Sequence, residues 1–311
     1  MKVLITGGCG FIGSHIAELL AAQGYEVVVI DNLSSGNYRS DIYPIHYYEI
    51  DFTSMEMEGI FEKERPEFVI HLAAQVDIKT SMENPVFDAE INILGTIRLL
   101  QMCRIHEVKR FIFASTSAVY GDLGGQSADE ASSLNPISFY GISKLASEKY
   151  IQQFNQQFGL PFTIFRYSNV YGPRQRSDNE GGVVPIFIKL LTEGRIPVIY
   201  GDGKQTRDFI HVEDVARANL SAIEKNVDGV MNISSMSDTT INRLYKLISG
   251  FFRYDKDPLY LPNRHGDILF SRLVNKKAET RLGWKPRLRL EEGICQMIQT
   301  VTVKNREGTD K

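Results

Sequence analysis

The chain has 311 residues, of which 43% are hydrophobic and 23% are charged, and its net charge is −3. This composition is typical of a globular protein with room for one large α/β unit and a smaller lobe. The lack of a net basic charge argues against a nucleic-acid-binding protein. No apolar run approaches the roughly 18 residues that a membrane helix requires.

The cysteines and histidines indicate neither a disulfide framework nor a metal site. Cys9, Cys103 and Cys295 are odd in number and widely spaced, which fits a reducing compartment. The six histidines show no paired ligand spacing. The first six residues lead directly into glycines without the apolar core of a signal peptide. We therefore expect a cytoplasmic protein without a metal.

The first predicted strand, residues 2–6, leads into a glycine-rich turn and then a helical pattern. Gly7, Gly10 and Gly13 stand three residues apart, and a second predicted strand ends at Asp31. Such glycines allow a sharp turn and a close approach of a pyrophosphate to a helix N-terminus. A carboxylate at Asp31 accepts a hydrogen bond from a ribose 2′-hydroxyl and repels a 2′-phosphate. The sequence predicts a dinucleotide site that favours NAD over NADP.

The next segments continue the alternation of strands and helices. A predicted strand at 47–50 ends at Asp51, where a carboxylate can meet an adenine amino group. A strand beginning at Phe68 opens into small residues, Ala73 and Ala74, which suit a flat ligand, although tight packing alone gives the same pattern. A long helix is expected from Asn84 to Met102, with Asn92 as its polar exception.

Predicted strands at 110–114 and 162–167 complete the alternation, which predicts an α/β fold with a doubly wound parallel sheet (Rossmann). The first of them ends in hydroxyls, Ser115 and Thr116, where α/β proteins place their ligands. After Tyr167 the chain becomes turn-rich, as expected for a smaller mixed α/β lobe. We predict a Rossmann domain at 1–170 plus 208–235, and a substrate-binding lobe at 171–207 plus 236–311.

Two kinds of side chain outside the glycine-rich turn indicate chemistry. Tyr140 and Lys144 stand four residues apart in a predicted helix, so their side chains share a face. An ammonium beside a phenol lowers the pKa of the phenol and favours a catalytic base, whereas the alternative is an ordinary amphipathic helix. Arg207 and Arg264 lie in glycine-bearing loops, where guanidinium groups can bind a diphosphate.

Together these segments resemble the extended short-chain dehydrogenase/reductase family, and within it the nucleotide-sugar enzymes similar to UDP-galactose 4-epimerase. The resemblance covers nearly the whole chain. Its motifs are Gly-x-x-Gly-x-x-Gly at 7–13, Asp-Asn-Leu at 31–33, His-Leu-Ala-Ala at 71–74, Ser-Thr-Ser at 115–117, Tyr-x-x-x-Lys at 140–144, Arg-Asp-Phe-Ile-His-Val at 207–212 and Leu-Gly-Trp-Lys-Pro at 282–286. It implies tightly bound NAD, a UDP-sugar substrate in the C-terminal lobe and a homodimer.

The resemblance also implies a role for each matching position. Tyr140 resembles the catalytic base, Lys144 its partner on the nicotinamide ribose, and Thr116 the hydroxyl that binds the sugar 4-oxygen. The cofactor-binding residues it implies are Gly7, Gly10, Phe11, Ile12, Gly13, Asp31, Asn32, Asp51, Phe52, Leu72, Ala73, Ala74, Asn92, Ser115, Tyr140, Lys144 and Tyr167, with Tyr167 lining the nicotinamide. The substrate-binding residues are Thr116, Asn169, Val183, Arg207, Arg264, Asp267 and Ser271.

Departures from the family pattern favour a 4-epimerase of UDP-hexoses that acts through a transient 4-keto sugar. Thr116 is followed by Ser117 and Ala118, where dehydratases place acids and uronate decarboxylases usually place a glutamate. Ser271 stands where a bulky residue narrows the sugar pocket of some epimerases, so N-acetylated UDP-hexoses are expected as well. The alternatives are a dehydratase, a uronate epimerase that uses Arg174 and Arg176, and a non-catalytic NAD-sensing protein.

Overall fold

The protein is described from a computed structural model that covers residues 1–122, 124–178, 182–263 and 268–308, with side chains to residue 301. The strands are β1 (Lys2–Thr6), β2 (Glu26–Asp31), β3 (Ile45–Glu49), β4 (Phe68–His71), β5 (Arg110–Thr116), β6 (Phe162–Tyr167), β7 (Asn169–Tyr171), β8 (Val198–Tyr200), β9 (Thr206–Arg207), β10 (Phe209–His211), β11 (Gly229–Ile233), β12 (Thr239–Thr240) and β13 (Leu259–Leu261). The helices are α1 (Phe11–Ala22), α2 (Met57–Glu64), α3 (Ile78–Glu83), α4 (Pro85–Ala89), α5 (Thr96–Ile105), α6 (Phe139–Phe158), α7 (Val183–Thr192), α8 (Val212–Lys225), α9 (Ile241–Phe251), α10 (Lys276–Leu282) and α11 (Leu290–Gly308).

The central sheet of the described chain has seven strands in the order β11-β6-β5-β4-β1-β2-β3. Every neighbouring pair is parallel. The order reverses between β1 and β4, which is the point where doubly wound sheets open a crevice for a ligand. The predicted doubly wound parallel sheet is confirmed.

Helices cover both faces of the sheet, which explains why its central strands are apolar throughout. On one face, α1 and α8 pack against Ile5, Val29 and Ile112. On the other, α2, α5 and α6 cover Leu4, Val69 and Phe111. A separate apolar cluster around Phe187 and Leu244 forms the core of the lobe, between α7, α9 and α11.

The chain leaves the central sheet after β6 and returns to it at β11, and the small strands of the lobe come from both before and after β11. β7 pairs with β10 and β8 with β13, both in parallel, whereas β9 pairs with β12 in antiparallel fashion. The residue bounds that we predict for the two domains stay a prediction.

The expected long helix from Asn84 is in fact segmented. Asn84 ends α3 and caps α4 by accepting a hydrogen bond from the Phe87 amide at 3.1 Å. A π-helix, Glu90–Gly95, then connects α4 to α5. The carbonyl of Asn92 in this π-helix accepts from the hydroxyls of Thr96 (2.6 Å) and Ser147 (2.7 Å). Single π-turns of this kind often occur at functional sites.

In the ranges given above, no helix combines the length and apolarity needed to cross a membrane. The same residues contain no group of three or more His, Cys, Asp or Glu side chains placed to hold a metal ion.

Candidate functional site

The glycine-rich turn between β1 and α1 has no room for side chains. Gly7 has φ +73°, and a Cβ there would lie 2.7 Å from the Ala73 amide nitrogen. A Cβ on Gly13 would lie 2.1 Å from the Gly7 carbonyl oxygen. Gly10 caps α1, so the amides of Phe11 and Ile12 open the helix. This turn fits a dinucleotide pyrophosphate, because the backbone is bare and the helix N-terminus attracts the phosphates.

Acidic and amide side chains lie at the carboxyl ends of β2 and β3, beside this turn. Asp31 accepts hydrogen bonds from the amides of Cys9 (2.9 Å) and Leu33 (2.8 Å), which fixes its carboxylate. Burial raises the pKa of Asp31 above its ordinary value, against these hydrogen bonds. The Asn32 amide donates to Asp51 at 2.9 Å. The predicted adenosine-side residues therefore lie together.

The segment after β4 closes the other side of the crevice. The amides of Leu72 and Ala73 both donate to the Thr6 carbonyl at 3.1 Å. These bonds hold the segment that contains Ala73 and Ala74 beside Gly7. Phe52 is buried, and its ring lies 5.0 Å from that of His71. The Phe52 side chain therefore belongs to the core, and only its backbone remains available for a cofactor.

Thr116 and Tyr140 meet where β5 and α6 come together. Ser138 caps α6, accepting from the Gly141 amide at 3.1 Å, which places Tyr140 in the first turn. The Thr116 side chain lies close to the half-buried Tyr140 phenol. Burial raises the pKa of Tyr140 to about 12, although the Thr116 side chain acts more weakly to lower it.

Lys144 lies one helical turn further along α6 and is 3% exposed. Its ammonium lies 4.3 Å from the centre of the Phe113 ring. Burial lowers the pKa of Lys144 to about 7, against the carboxylates of Glu148 and Asp88. Burial thus opposes the charge on Lys144, and Lys144 is not among the groups that shift the pKa of Tyr140 in the chain by itself. The expected effect of Lys144 on the pKa of Tyr140 stays a prediction.

A buried ionic network supports this pair from below, and the sequence reasoning missed it. Glu148 accepts from Arg166 through both carboxylate oxygens, at 3.0 and 2.6 Å, and from Ser115 at 2.5 Å. Arg166 also donates to the Tyr120 hydroxyl at 3.0 Å, and Tyr120 donates to Asn232 at 2.7 Å. The spacing of Glu148 places it one turn after Lys144 on α6, but no pattern in the sequence indicates its pairing with Arg166.

On the lobe side, three predicted substrate residues line one cavity of about 200 Å³. These are Asn169, Val183 and Arg207. Arg207 donates to the Ile268 carbonyl at 2.7 Å, which attaches β9 to the segment before Ser271. The other lining residues were not predicted and are Phe187, Val198, Ile199, Tyr200, Gln205 and Ile241.

Three further predictions have different outcomes. The phenol of Tyr167 lies in the core shared with α1 and α8, where its hydroxyl accepts from Asn219 at 2.9 Å. Its expected place beside a nicotinamide stays a prediction. Ser271 is half-buried outside the cavity. Arg264 and Asp267 lie outside the described residues.

The fold and this site define a Rossmann-type protein with a Tyr–Lys pair at the carboxyl end of its sheet. The model of the family described as NAD dependent epimerase/dehydratase matches residues 3–234. The chain belongs to this family, and it is an enzyme with NAD as its cofactor. The bare glycine turn and the fixed Asp31 carboxylate fit that cofactor.

Individual relatives are similar over almost their full length. A putative UDP-glucose 4-epimerase of Methanocaldococcus jannaschii is 40% identical over 98% of this chain and 99% of its own. The crystal structure of UDP-glucose 4-epimerase with UDP-glucose from Thermotoga maritima has a TM-score of 0.94 at 43% identity, covering 98% and 99% of the two chains. UDP-N-acetylglucosamine 4-epimerase from Methanobrevibacter ruminantium, in complex with UDP-N-acetylmuramic acid, has a TM-score of 0.92 at 35% identity, covering 97% and 98%.

Proposed function

We propose that the protein is an NAD-dependent 4-epimerase of UDP-hexoses that acts through a transient 4-keto sugar. The observation that carries the proposal is the placement of Thr116 beside Tyr140, one helical turn from buried Lys144 and without an acid at positions 117 and 118. The named activities of the relatives from Methanocaldococcus jannaschii and Thermotoga maritima support it.

Each side chain then has a role that follows from its surroundings. Thr116 holds the sugar 4-oxygen and Tyr140 together, so that Tyr140 takes the 4-hydroxyl proton and later returns it. Lys144 stabilises the Tyr140 phenolate when the Lys144 amine is protonated. NAD, when bound, supplies a reversible hydride acceptor for C4. The pKa of about 12 for Tyr140 makes this stabilisation necessary.

The nucleotide must be held firmly while the sugar turns over, and the lobe cavity suits that division. Its lining combines a guanidinium at Arg207, amides at Asn169 and Gln205, and the aromatic ring of Tyr200. We assign the nucleoside diphosphate of a UDP-sugar to this cavity. Two residues outside the described ranges, Arg264 and Asp267, remain proposed partners of the diphosphate and the nucleoside.

The 2-substituent of the sugar is the finer part of the proposal. Ser271 is small and half-buried, and the relative from Methanobrevibacter ruminantium is named for UDP-N-acetylglucosamine. We propose that N-acetylated UDP-hexoses are accepted beside UDP-glucose and UDP-galactose. A Ser271→Tyr variant should retain UDP-glucose turnover and lose most UDP-N-acetylglucosamine turnover. Unchanged selectivity would refute the role of Ser271.

A uronate 4-epimerase is disfavoured by the surroundings of the arginines that would serve it. Arg174 lies 3.6 Å over the Tyr38 ring and pairs with Glu18 at 2.5 Å. Arg176 pairs with Asp178. Both guanidiniums thus have anionic partners within the protein, which removes the reason to place a substrate carboxylate there.

The deciding experiment uses a panel of UDP-sugars without added NAD, followed by proton NMR. We expect interconversion of 4-epimers with no net redox change and no loss of water. Tyr140→Phe should lower kcat by about a hundredfold or more, since positioned acid–base groups contribute about 10²–10⁴. A 4-keto-6-deoxy product would indicate a dehydratase, and full activity in Tyr140→Phe would refute the acid–base assignment. No turnover of any sugar would favour an NAD-sensing protein.

A homodimer is proposed from exposed apolar side chains on neighbouring helices. Leu94 of the π-helix is 47% exposed, and Ile142 and Tyr150 of α6 are 46% and 43% exposed. The two helices pack against each other, so these side chains belong to one surface. Leu94→Lys with Ile142→Lys should convert a dimer to a monomer in sedimentation velocity. A monomeric wild-type protein would refute the proposal.

The cytoplasmic location and the lack of nucleic-acid binding stay predictions.

A further inference from the structure

Asp88 is a buried acid that the mechanism above does not use. It lies on α4 and is 1% exposed, whereas Phe87 and Glu90 beside it are exposed. Its Oδ1 accepts hydrogen bonds from the side-chain amides of Gln75 and Asn92, each at 3.1 Å. Both donors are neutral. In the part of the chain that is described, no lysine or arginine nitrogen lies within 4.0 Å of this carboxylate. Buried charges usually require compensation, so a more distant cation must balance it.

The amide of Asn92 links Asp88 to the catalytic helix. Asn92 binds the backbone of Gln75 on both sides, accepting from its amide at 3.0 Å and donating to its carbonyl at 2.9 Å. The same Asn92 amide nitrogen lies 3.1 Å from the Ser143 hydroxyl, so its two hydrogens are shared among three acceptors, and Ser143 donates to the Tyr140 carbonyl at 3.0 Å. We call Asp88, Gln75, Asn92 and Ser143 the amide clamp. It joins the loop after Ala74 to the turn of α6 between Tyr140 and Lys144.

Two anions act to raise the pKa of Lys144, first Glu148 and then Asp88, and only Asp88 has no cationic partner of its own within 4.0 Å among the described residues. The groups that act on Lys144 or lie beside them are His71 on β4, Asp88 on α4, Glu148 on its own helix and Arg166 on β6. Burial holds the pKa of His71 well below its ordinary value, so His71 is neutral. Glu148 is already paired with Arg166 at 2.6 Å. Asp88 has only neutral partners, and it raises the pKa of both Lys144 and Tyr140.

We propose that Asp88 is a positioning residue of the Tyr140–Lys144 pair, which holds the amide clamp together and adds to Glu148 a second buried negative charge that favours the protonated form of Lys144. The proposal deepens the proposed epimerase function and rests on it. Its consequence is that Asp88 sets the pH range over which the pair works, although it touches neither substrate nor cofactor.

The direct test measures the titration of Lys144 without any substrate. Carbon-13 NMR of the lysine Cε atoms, with the Lys144 signal assigned by its loss in Lys144→Met, gives this pKa. Asp88→Asn keeps the shape and one acceptor oxygen but removes the charge. It should lower the pKa of Lys144 by about half a unit or more, because an anion favours the ammonium. Glu90→Gln, which removes an exposed acid two residues away, should leave it unchanged.

The second readout is the pH profile of kcat for the holoenzyme. Because Asp88 raises the pKa of both Tyr140 and Lys144, Asp88→Asn should move both limbs to lower pH by about half a unit or more. A residue that only stabilises the fold would lower the profile without moving it. The proposal would be overturned if the two limbs of the kcat–pH profile and the pKa of Lys144 all stayed within about 0.2 pH units of their wild-type values.

A swapped variant covers the case in which Asp88→Asn does not fold. Asp88→Asn with Asn92→Asp returns one carboxylate to the amide clamp, one helical turn away, and should bring the Lys144 pKa back toward the wild-type value. A Lys144 pKa in this variant that falls as far as expected for Asp88→Asn would count against the proposal. A wild-type protein without epimerase activity would refute the proposed function, while the NMR titration would still decide the role of Asp88.

Discussion

Replacing Glu148 by Gln tests how strongly the ionic network under the catalytic pair stabilises the fold. Arg166 and Glu148 are 3% and 0% exposed, and three hydrogen bonds of 2.5 to 3.0 Å converge on the carboxylate. Glu148→Gln keeps one acceptor oxygen but leaves the Arg166 charge without its anion. Breaking a buried pair in this way costs about 3–5 kcal/mol. Since domains are stable by about 5–15 kcal/mol, this is a large share of the free energy of unfolding.

Urea-induced unfolding gives the measurement, with fluorescence of the single tryptophan as the signal. Trp284 is 3% exposed and packs with the α1–α8 face of the sheet, so its emission changes when the core opens. The matched control is Glu193→Gln, which breaks the exposed pair of Glu193 with Arg195 at 2.9 Å. That variant should lose less than about 1 kcal/mol.

A double variant separates loss of charge balance from loss of shape. Arg166→Met with Glu148→Met removes both charges, and buried pairs replaced by apolar side chains are often neutral in stability. It should recover much of the stability lost in Glu148→Gln. A loss below about 1 kcal/mol in Glu148→Gln itself would refute the reasoning, because the pair would then behave like a surface pair.

Three further predictions concern the cofactor turn and the pH dependence of stability. Gly13→Ala should weaken NAD binding about tenfold or more in calorimetry, because the methyl would lie 2.1 Å from the Gly7 oxygen and overpacking costs about 1–3 kcal/mol; unchanged affinity would contradict the tight turn. Asp31→Asn should raise the NADP-to-NAD affinity ratio at least about tenfold in competition binding, since like charges in contact cost several kcal/mol; an unchanged ratio would remove Asp31 as the selectivity residue. Burial lowers the pKa of His211 from 6.5 to about 4. Between these two pH values the His211 imidazole is protonated only in the unfolded chain, so the contribution of His211 to stability decreases as the pH falls through that window. His211→Asn should therefore show a shallower decrease than wild type, whereas parallel curves would show that His211 is not the group responsible.

The sequence predicted the order of the main elements because strand and helix periods alternate clearly up to Tyr167. The four-residue spacing of Tyr140 and Lys144 predicted that their side chains share a face of α6, whereas the role of Thr116 was implied by the resemblance to the family. The sequence could not show that the Tyr167 hydroxyl accepts a hydrogen bond from Asn219, because that contact joins segments 52 residues apart.

Other features depend on contacts between distant segments and were therefore out of reach. Arg166 and Glu148 are 18 residues apart in sequence, and each on its own would be expected as a charged residue at the surface. The π-helix around Asn92 adds no signature to an apolar helical pattern. Asp88 likewise appears as an ordinary helix residue until its burial is known.

The late addition of β11 to the sheet affects whether a fragment of the protein that ends before β11 can be expressed without aggregating. β11 lies at the sheet edge beside β6, yet it is translated only after the whole of 168–228 has been synthesised. During that interval β6, which is buried along its full length in the finished protein, is an unpaired apolar edge of the kind that recruits other chains. A fragment that stops at residue 170 should therefore aggregate. A transferable NAD-binding half would need residues 229–233 joined behind β6 through a new crossover connection.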